Sequence, residues 1–294
     1  MDGQDLSLRL RDGRTLGYAE YGAPEGRPLL YCHGFPSSRL EGRLIDAVAK
    51  SRNFRVIAVD RPGYGLSDFQ PGRRLLDWPD DVATLMQGLG VERFTALGVS
   101  GGGPYALACA WKIPSKITAV AVVCGLGPVY ERHAVSMLRW PARFGFVLAQ
   151  RSRWLLWLLY GGILARLLCA RPQLMHTLST WTGPPADKAT LARVEIREPL
   201  LAAVREGLRQ GPRGALCDLV LYTTPWSFSL GEIARPVDFW HGGADVTVPP
   251  EHTELTARAV PYKTVTRLPR EGHFSLPIRY GGVILDRLSR RLEN

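Results

Sequence analysis

Lysine is nearly missing from this chain of 294 residues: five lysines stand among 37 basic residues, and arginine supplies the rest. The basic residues form no block and no aromatic RNA-binding signature accompanies them, so nucleic acid is not expected as a partner despite a net charge of +10. Cysteine is scarce too. Cys32, Cys109, Cys124, Cys169 and Cys217 lie far apart in mostly apolar contexts without C-x-x-C spacing, which argues against disulfides and zinc and for small buried side chains. No His/Cys/Asp cluster has metal-ligand spacing, and neither G-x-G-x-x-G nor a P-loop occurs, so no metal and no cofactor are expected. There is no uninterrupted apolar run of the roughly 20 residues that a membrane-spanning helix needs. The richest stretch, "RSRWLLWLLYGGILARLLCARP" (151–172), is broken by Gly161, Gly162 and Arg166, and two short helices around the glycine pair are expected there. The N-terminus carries acidic residues where an export signal would be basic, and no apolar run follows, so the expected compartment is a reducing cytoplasm.

What is present is the composition of a globular enzyme, 46% hydrophobic and 22% charged. Short apolar, β-branched runs recur at 6–10, 15–21, 29–32, 55–60, 94–99, 117–124, 237–241 and 263–268, and each reads as a strand. Helices are expected at 40–51, 78–89, 101–111, 250–259 and 278–292. Strands alternating with helices predict an α/β fold, a mostly parallel central sheet of about eight strands covered on both faces. "RDGR" between the first two strands is a hairpin signal, so that pair is expected to be antiparallel. The alternation stops after Gly125 and resumes at Pro236, which divides the chain into a first core part (1–125), an inserted helical subdomain (126–235) and a second core part (236–294).

The chemistry centres on "GVSGG", in which Ser100 stands between a strand and a helix in a G-x-S-x-G pattern. A nucleophilic hydroxyl must project beyond the strand ends on a sharp turn, and small residues two before and two after let strand and helix close up. A serine hydroxyl also needs a base, and the base needs an anionic orienter. "HGGADVTVPP" places Asp245 just past a strand, and "PREGHFSLP" places His273 in the loop after the next one. Both fall at carboxyl ends of strands, where an open α/β sheet gathers its site. Backbone donors for an oxyanion are expected at Gly101, which follows the nucleophile, and at Phe35 in "HGFP".

With "HGFP", "DRPGYGLSD" (60–68), "GVSGG", "HGGAD" and "EGHFS" in the chain order Ser, Asp, His, the sequence resembles the α/β-hydrolase superfamily. The resemblance covers 5–125 and 236–294, and implies that residues 126–235 are a cap over the active site. It implies a serine hydrolase with Ser100, Asp245 and His273 as its triad. Serine at position 100, where epoxide hydrolases and haloalkane dehalogenases of this fold carry aspartate, disfavours those activities. HGFP, and not HGGG, leaves the broad group of capped esterases, lactonases, thioesterases, amidases, C–C bond hydrolases and cofactor-free perhydrolases. The expected substrate is a small to medium ester or lactone with apolar parts. The alternatives are a cofactor-free lyase or cyclase, a C–C bond hydrolase on the same triad, and a non-catalytic ligand-binding receptor.

Asp60 is expected to organise its own loop, His33 to make a structural hydrogen bond, and His241 and His252 to be structural or surface residues. Most aromatics of 126–235, including Phe144, Phe146, Trp157 and Tyr160, are expected to hold that segment onto the core. A minority should line the pocket, for which Trp140, Trp154 and Trp181 are named. The same region holds thirteen basic against seven acidic residues between 126 and 232. A solvated face is the favoured reading of that excess, ahead of steering an anionic substrate or resting on anionic lipid.

Overall fold

The computed structural model describes residues 5–140, 142–164 and 182–292. Eight strands appear where eight were expected: β1 (Leu6–Arg9), β2 (Thr15–Gly22), β3 (Arg27–Cys32), β4 (Phe54–Val59), β5 (Phe94–Val99), β6 (Ile117–Val123), β7 (Val237–Gly242) and β8 (Lys263–Leu268). They form one sheet in the order β1-β2-β4-β3-β5-β6-β7-β8. β1 pairs antiparallel with β2 across the Asp12-Gly13 turn, β2 pairs antiparallel with β4, and every later pairing is parallel.

Side-chain alternation divides the apolar residues between the two faces. Leu30, Ile57, Ala96 and Val122 join one buried cluster with α2 (Trp78–Gly88) and α3 (Gly103–Lys112). Leu29, Val56, Leu97 and Ala121 join the other with α1 (Asp46–Ser51) and the C-terminal helix α11 (Ser275–Leu292). Central β5 is buried along its whole length, as a strand covered on both faces must be. The edges differ: β8 alternates exposed and half-buried residues, and β1 has only four residues, a short edge that offers little to a passing strand.

The expected helix at 40–51 opens as a 3₁₀ turn (Arg39–Ile45) before α1. Between β6 and β7 the described residues form no strand. They form α4 (Arg132–Met137), α5 (Ala142–Arg151), α6 (Arg153–Leu156) running on as a π-helix (Trp157–Leu164), α7 (Pro185–Leu191), α8 (Val194–Gly207) and α9 (Arg213–Tyr222). The expected break at Gly161-Gly162 does not occur, because the π-helix passes straight through the pair. Gly161 serves packing there: a Cβ would stand 2.9 Å from Leu216 Cδ1 on α9. After β7, α10 (Glu251–Ala259) leads into β8. Among the described residues no helix is long and apolar enough to cross a membrane. Cys32, Cys109 and Cys124 are buried and Cys217 is half-buried, all as free thiols, while Cys169 lies outside the described residues.

Candidate active site

The parallel strands β3, β5, β7 and β8 all end on one side of the sheet, and each is followed by one of the residues singled out above. Ser100 follows β5 with a φ of 53°, a left-handed conformation that costs a non-glycine residue about 1–3 kcal/mol and turns the chain sharply into α3. The turn closes only because its neighbours are small. A Cβ on Gly98 would stand 2.6 Å from the Gly102 carbonyl oxygen, and one on Gly102 would stand 2.0 Å from the Cys32 carbonyl oxygen.

His273 Nε2 lies 3.1 Å from Ser100 Oγ, and its Nδ1 lies 2.7 Å from Asp245 Oδ2. Asp245 is buried, and its other oxygen accepts the N–H groups of Thr247 (2.8 Å) and Val248 (2.9 Å). Burial works to raise the Asp245 carboxyl, but the neighbouring His273 charge and hydrogen bonds from His241 and His273 overcome it and hold the group well below the ordinary carboxylate range. For His273, burial opposes the charged form, yet the Asp245 carboxylate, with smaller help from Asp187 and Glu41, lifts the imidazole above its usual 6.5. A hydroxyl, an imidazole and a buried carboxylate are thus hydrogen-bonded in series, an arrangement in which the imidazole can take the hydroxyl proton while the carboxylate orients it.

The two residues expected as backbone donors lie next to each other. Gly101 opens the helix, where its N–H has no carbonyl one turn back. Phe35 follows β3, and the Gly101 Cβ position would lie 2.8 Å from Phe35 Cβ. Neither N–H donates to a protein acceptor among the described residues. Two buried groups grip the loop that carries Phe35: Glu41 accepts the Gly34 N–H at 3.1 Å, and Arg61 donates to the carbonyls of His33 and Gly34.

Residues 27–279 match the family model for the alpha/beta hydrolase fold. The chain belongs to the α/β-hydrolase family. It is 33% identical over 121 residues to the non-heme chloroperoxidase of Streptomyces lividans, a stretch that covers 40% of this chain and 44% of that protein. The chain thus spans less than half the length of the curated relatives it matches. The bromoperoxidase of Bacillus anthracis superposes with a TM-score of 0.72 at 20% identity, covering 99% of this chain and 100% of that one. A thermophilic esterase from Thermogutta terrifontis gives 0.66 at 22% identity, covering 99% and 98%. At these identities the structural likeness shows the fold.

This α/β hydrolase also holds charges at its site that sequence reasoning missed. Asp187 on α7, 1% exposed, accepts the backbone N–H groups of His273 (2.9 Å), Phe274 (3.0 Å) and Ser275 (2.8 Å), so a carboxylate from the inserted segment caps α11 and fastens the histidine loop. Asp218 on α9 binds Arg61 Nε at 2.8 Å and also takes Arg73, Tyr64 and Tyr105. Burial alone would raise Asp218, but Arg61 and Arg73 bring it down to about 2. One turn on, the Tyr222 hydroxyl donates to the Gly101 carbonyl at 2.9 Å. A lone aspartate in the apolar run Ala215–Leu221 is the readable signal for Asp218, since a buried charge requires a partner. Asp187 offers only an acidic residue in a helix's first turn, a commonplace.

Three further histidines, His33, His241 and His252, make structural bonds, while His133 is exposed and His176 lies outside the described residues. His33 bonds Gly34 O through Nδ1 and accepts the Arg61 N–H through Nε2; burial, with Arg61 nearby, keeps it neutral. His241 bonds Thr253 and Val248, and His252 accepts the Gly127 N–H. Asp60 organises its loop as expected, accepting the Arg39 and Leu66 N–H groups. Folding brings Cys124, His241 and Asp245 within 4.8 Å of one another, a buried trio that sequence spacing does not reveal. Its atoms are already committed: both His241 nitrogens and both Asp245 oxygens are hydrogen-bonded, and burial pushes the Cys124 thiol well up toward its neutral form.

Two of the three tryptophans expected at the pocket require correction. Trp140 is 72% exposed and Trp154 is 69% exposed, so neither lines an enclosed pocket, and Trp181 lies outside the described residues. Trp157 is exposed as well; Phe146 is buried as a packing residue should be. α5 buries Gly145, Phe146, Leu148 and Ala149, which turns Phe144 outward by helical phase, and Trp140 stands in the turn before that helix.

Proposed function

We propose that this protein is a serine hydrolase that cleaves an ester, lactone or related acyl bond through an acyl-enzyme on Ser100, with residues 126–235 as a cap over the site. The observation that carries the reading is the pair of contacts at His273: 3.1 Å to Ser100 Oγ on one nitrogen, 2.7 Å to the buried Asp245 on the other. Asp245 holds the Nδ1 proton, which leaves Nε2 free to take the Ser100 proton as Oγ attacks the carbonyl carbon. The Phe35 and Gly101 N–H groups receive the negative charge that develops on the carbonyl oxygen. As the intermediate collapses, Nε2 returns the proton to the leaving oxygen. Water then gives a proton to Nε2 and attacks the acyl-enzyme, and Ser100 departs with that proton. No cofactor enters these steps. Phe35, half-buried beside Gly101 and backed edge to face at 5.7 Å by the buried Tyr222 ring, supplies apolar surface there, consistent with a substrate that has apolar parts.

The test is hydrolysis of p-nitrophenyl esters of increasing acyl length by the wild type and by Ser100→Ala. The expected loss in kcat is on the order of 10⁴–10⁶-fold with an unchanged melting temperature. The chain-length optimum then sizes the pocket. Wild-type turnover that survives the substitution would refute the mechanism. Product formed without oxygen from labelled water would move the reading to a lyase.

A further inference from the structure

We propose that the outer face of residues 140–163 is a docking surface for an anionic lipid bilayer. This inference concerns residues other than the triad and does not rest on the hydrolase reading. Eleven large apolar side chains are exposed among the described residues, and seven belong to this one stretch. Trp154 is 69% exposed, Trp157 59% and Ile163 63%. Singly exposed apolar residues need no explanation, but such a concentration marks a site of interaction. Tryptophan is the side chain that settles at a membrane's polar boundary, with an apolar body and one N–H donor.

The geometry matches an interfacial helix. The Trp140 and Phe144 rings meet at a tilt with centroids 4.9 Å apart, and Phe144 and Arg151 stand on the side of α5 away from its buried face. The next helix exposes Trp154, Trp157 and Leu158. The two helices pack together through Tyr160, whose hydroxyl lies 2.6 Å from where a Gly145 Cβ would be.

Charge identifies the partner. Residues 132–164 contain five arginines and no carboxylate. Arg132, Arg143 and Arg151, with Tyr130, Ser136 and Gln150, line a recess of about 410 Å³ that has no acidic residue in its wall. None of these three arginines forms an ion pair among the described residues, whereas Arg39, Arg61 and Arg73 of the core all do. Guanidinium groups and exposed tryptophans in one chain segment suit phosphate-bearing headgroups over a hydrocarbon layer. A second copy of the chain is the poorer occupant, because a two-fold contact would set this arginine-rich face against itself. On this proposal the basic excess, whose favoured reading above is a solvated face, also serves a lipid surface.

The test is co-sedimentation of the full chain with vesicles of phosphatidylcholine alone and of phosphatidylcholine mixed with phosphatidylglycerol. Binding to the mixed vesicles that weakens with salt is expected. Arg143→Gln with Arg151→Gln should reduce it about fivefold per charge removed. Trp154→Ser with Trp157→Ser should reduce it about tenfold or more, with Trp140→Ser with Ile163→Ser as the second pair should the first fail to fold. Ser100→Ala should bind like the wild type, which separates this inference from the catalytic one. Failure of the folded wild type to sediment with either vesicle would overturn the proposal. So would equal binding to neutral vesicles, or self-association in solution that the tryptophan substitutions abolish.

Discussion

The sheet and the helices inserted after β6 use charge in opposite ways. Ser100, Asp245 and His273 gather past the carboxyl ends of the strands, where the proposed chemistry takes place. The inserted helices send carboxylates inward, where Asp187 takes three N–H groups of the histidine loop, Asp218 takes Arg61 and Arg73, and Glu206 reaches Arg39 at 2.7 Å. Outward, between residues 132 and 164, they carry only positive charge, beside exposed tryptophans. A buried charge is tolerable only with its partners in place, so each inward carboxylate makes the insertion's position a condition of the site's geometry. The same chain segment thus clamps the loops at Ser100 and presents a separate face to solvent.

That contrast predicts graded effects. Asp218→Asn leaves Arg61 and Arg73 buried without a carboxylate and should cost about 3–5 kcal/mol in thermal or urea unfolding. The pH dependence has a definite sign. Asp218 falls from an ordinary 3.8 to about 2 in the folded protein, so its stabilisation is present above pH 3.8 and is lost as pH drops through about 2. Acid unfolding of the variant should lack that increment. An unchanged acid profile would mean that the network does not hold the insertion.

Asp187→Asn sharpens the comparison at the histidine. Its neutral amide should lower kcat/KM about tenfold, the scale of a lost orienting partner. His273 must be neutral to act as base and is lifted above 6.5, so kcat/KM should rise with pH along a limb centred above 6.5. Removing the Asp187 charge should move that limb to lower pH. A loss of activity with the limb unmoved would assign Asp187 a purely structural part. At the other extreme, Trp154→Ser on the exposed face should change stability by no more than about 0.5 kcal/mol in the same unfolding measurement.

How much of this was legible follows from where each signal resides. Ser100, Asp245 and His273 could be read because each lies in a short glycine-containing stretch just after a strand, and the strands announced themselves by short apolar runs, many of them β-branched. The sheet order was not readable, because β4 entering between β2 and β3 is decided by packing and not by any local residue. Asp187 was hidden for the same reason: its partners are main-chain groups 86 to 88 residues away, which leave no mark on side-chain identity. The tryptophans misled because apolar character predicts burial, whereas the turn before α5 and the phase of α6 decide which side they face. The glycine pair at 161 and 162 misled too, since one of them serves a close approach to Leu216.

The most direct measurement is mass spectrometry of the intact and digested protein after reaction with a fluorophosphonate, which traps an activated serine as a stable adduct. The account predicts a single adduct, on Ser100, formed by the wild type and far more slowly by a folded His273→Ala variant. No adduct, an adduct on another residue, or labelling of Ser100 that ignores the loss of His273 would contradict it.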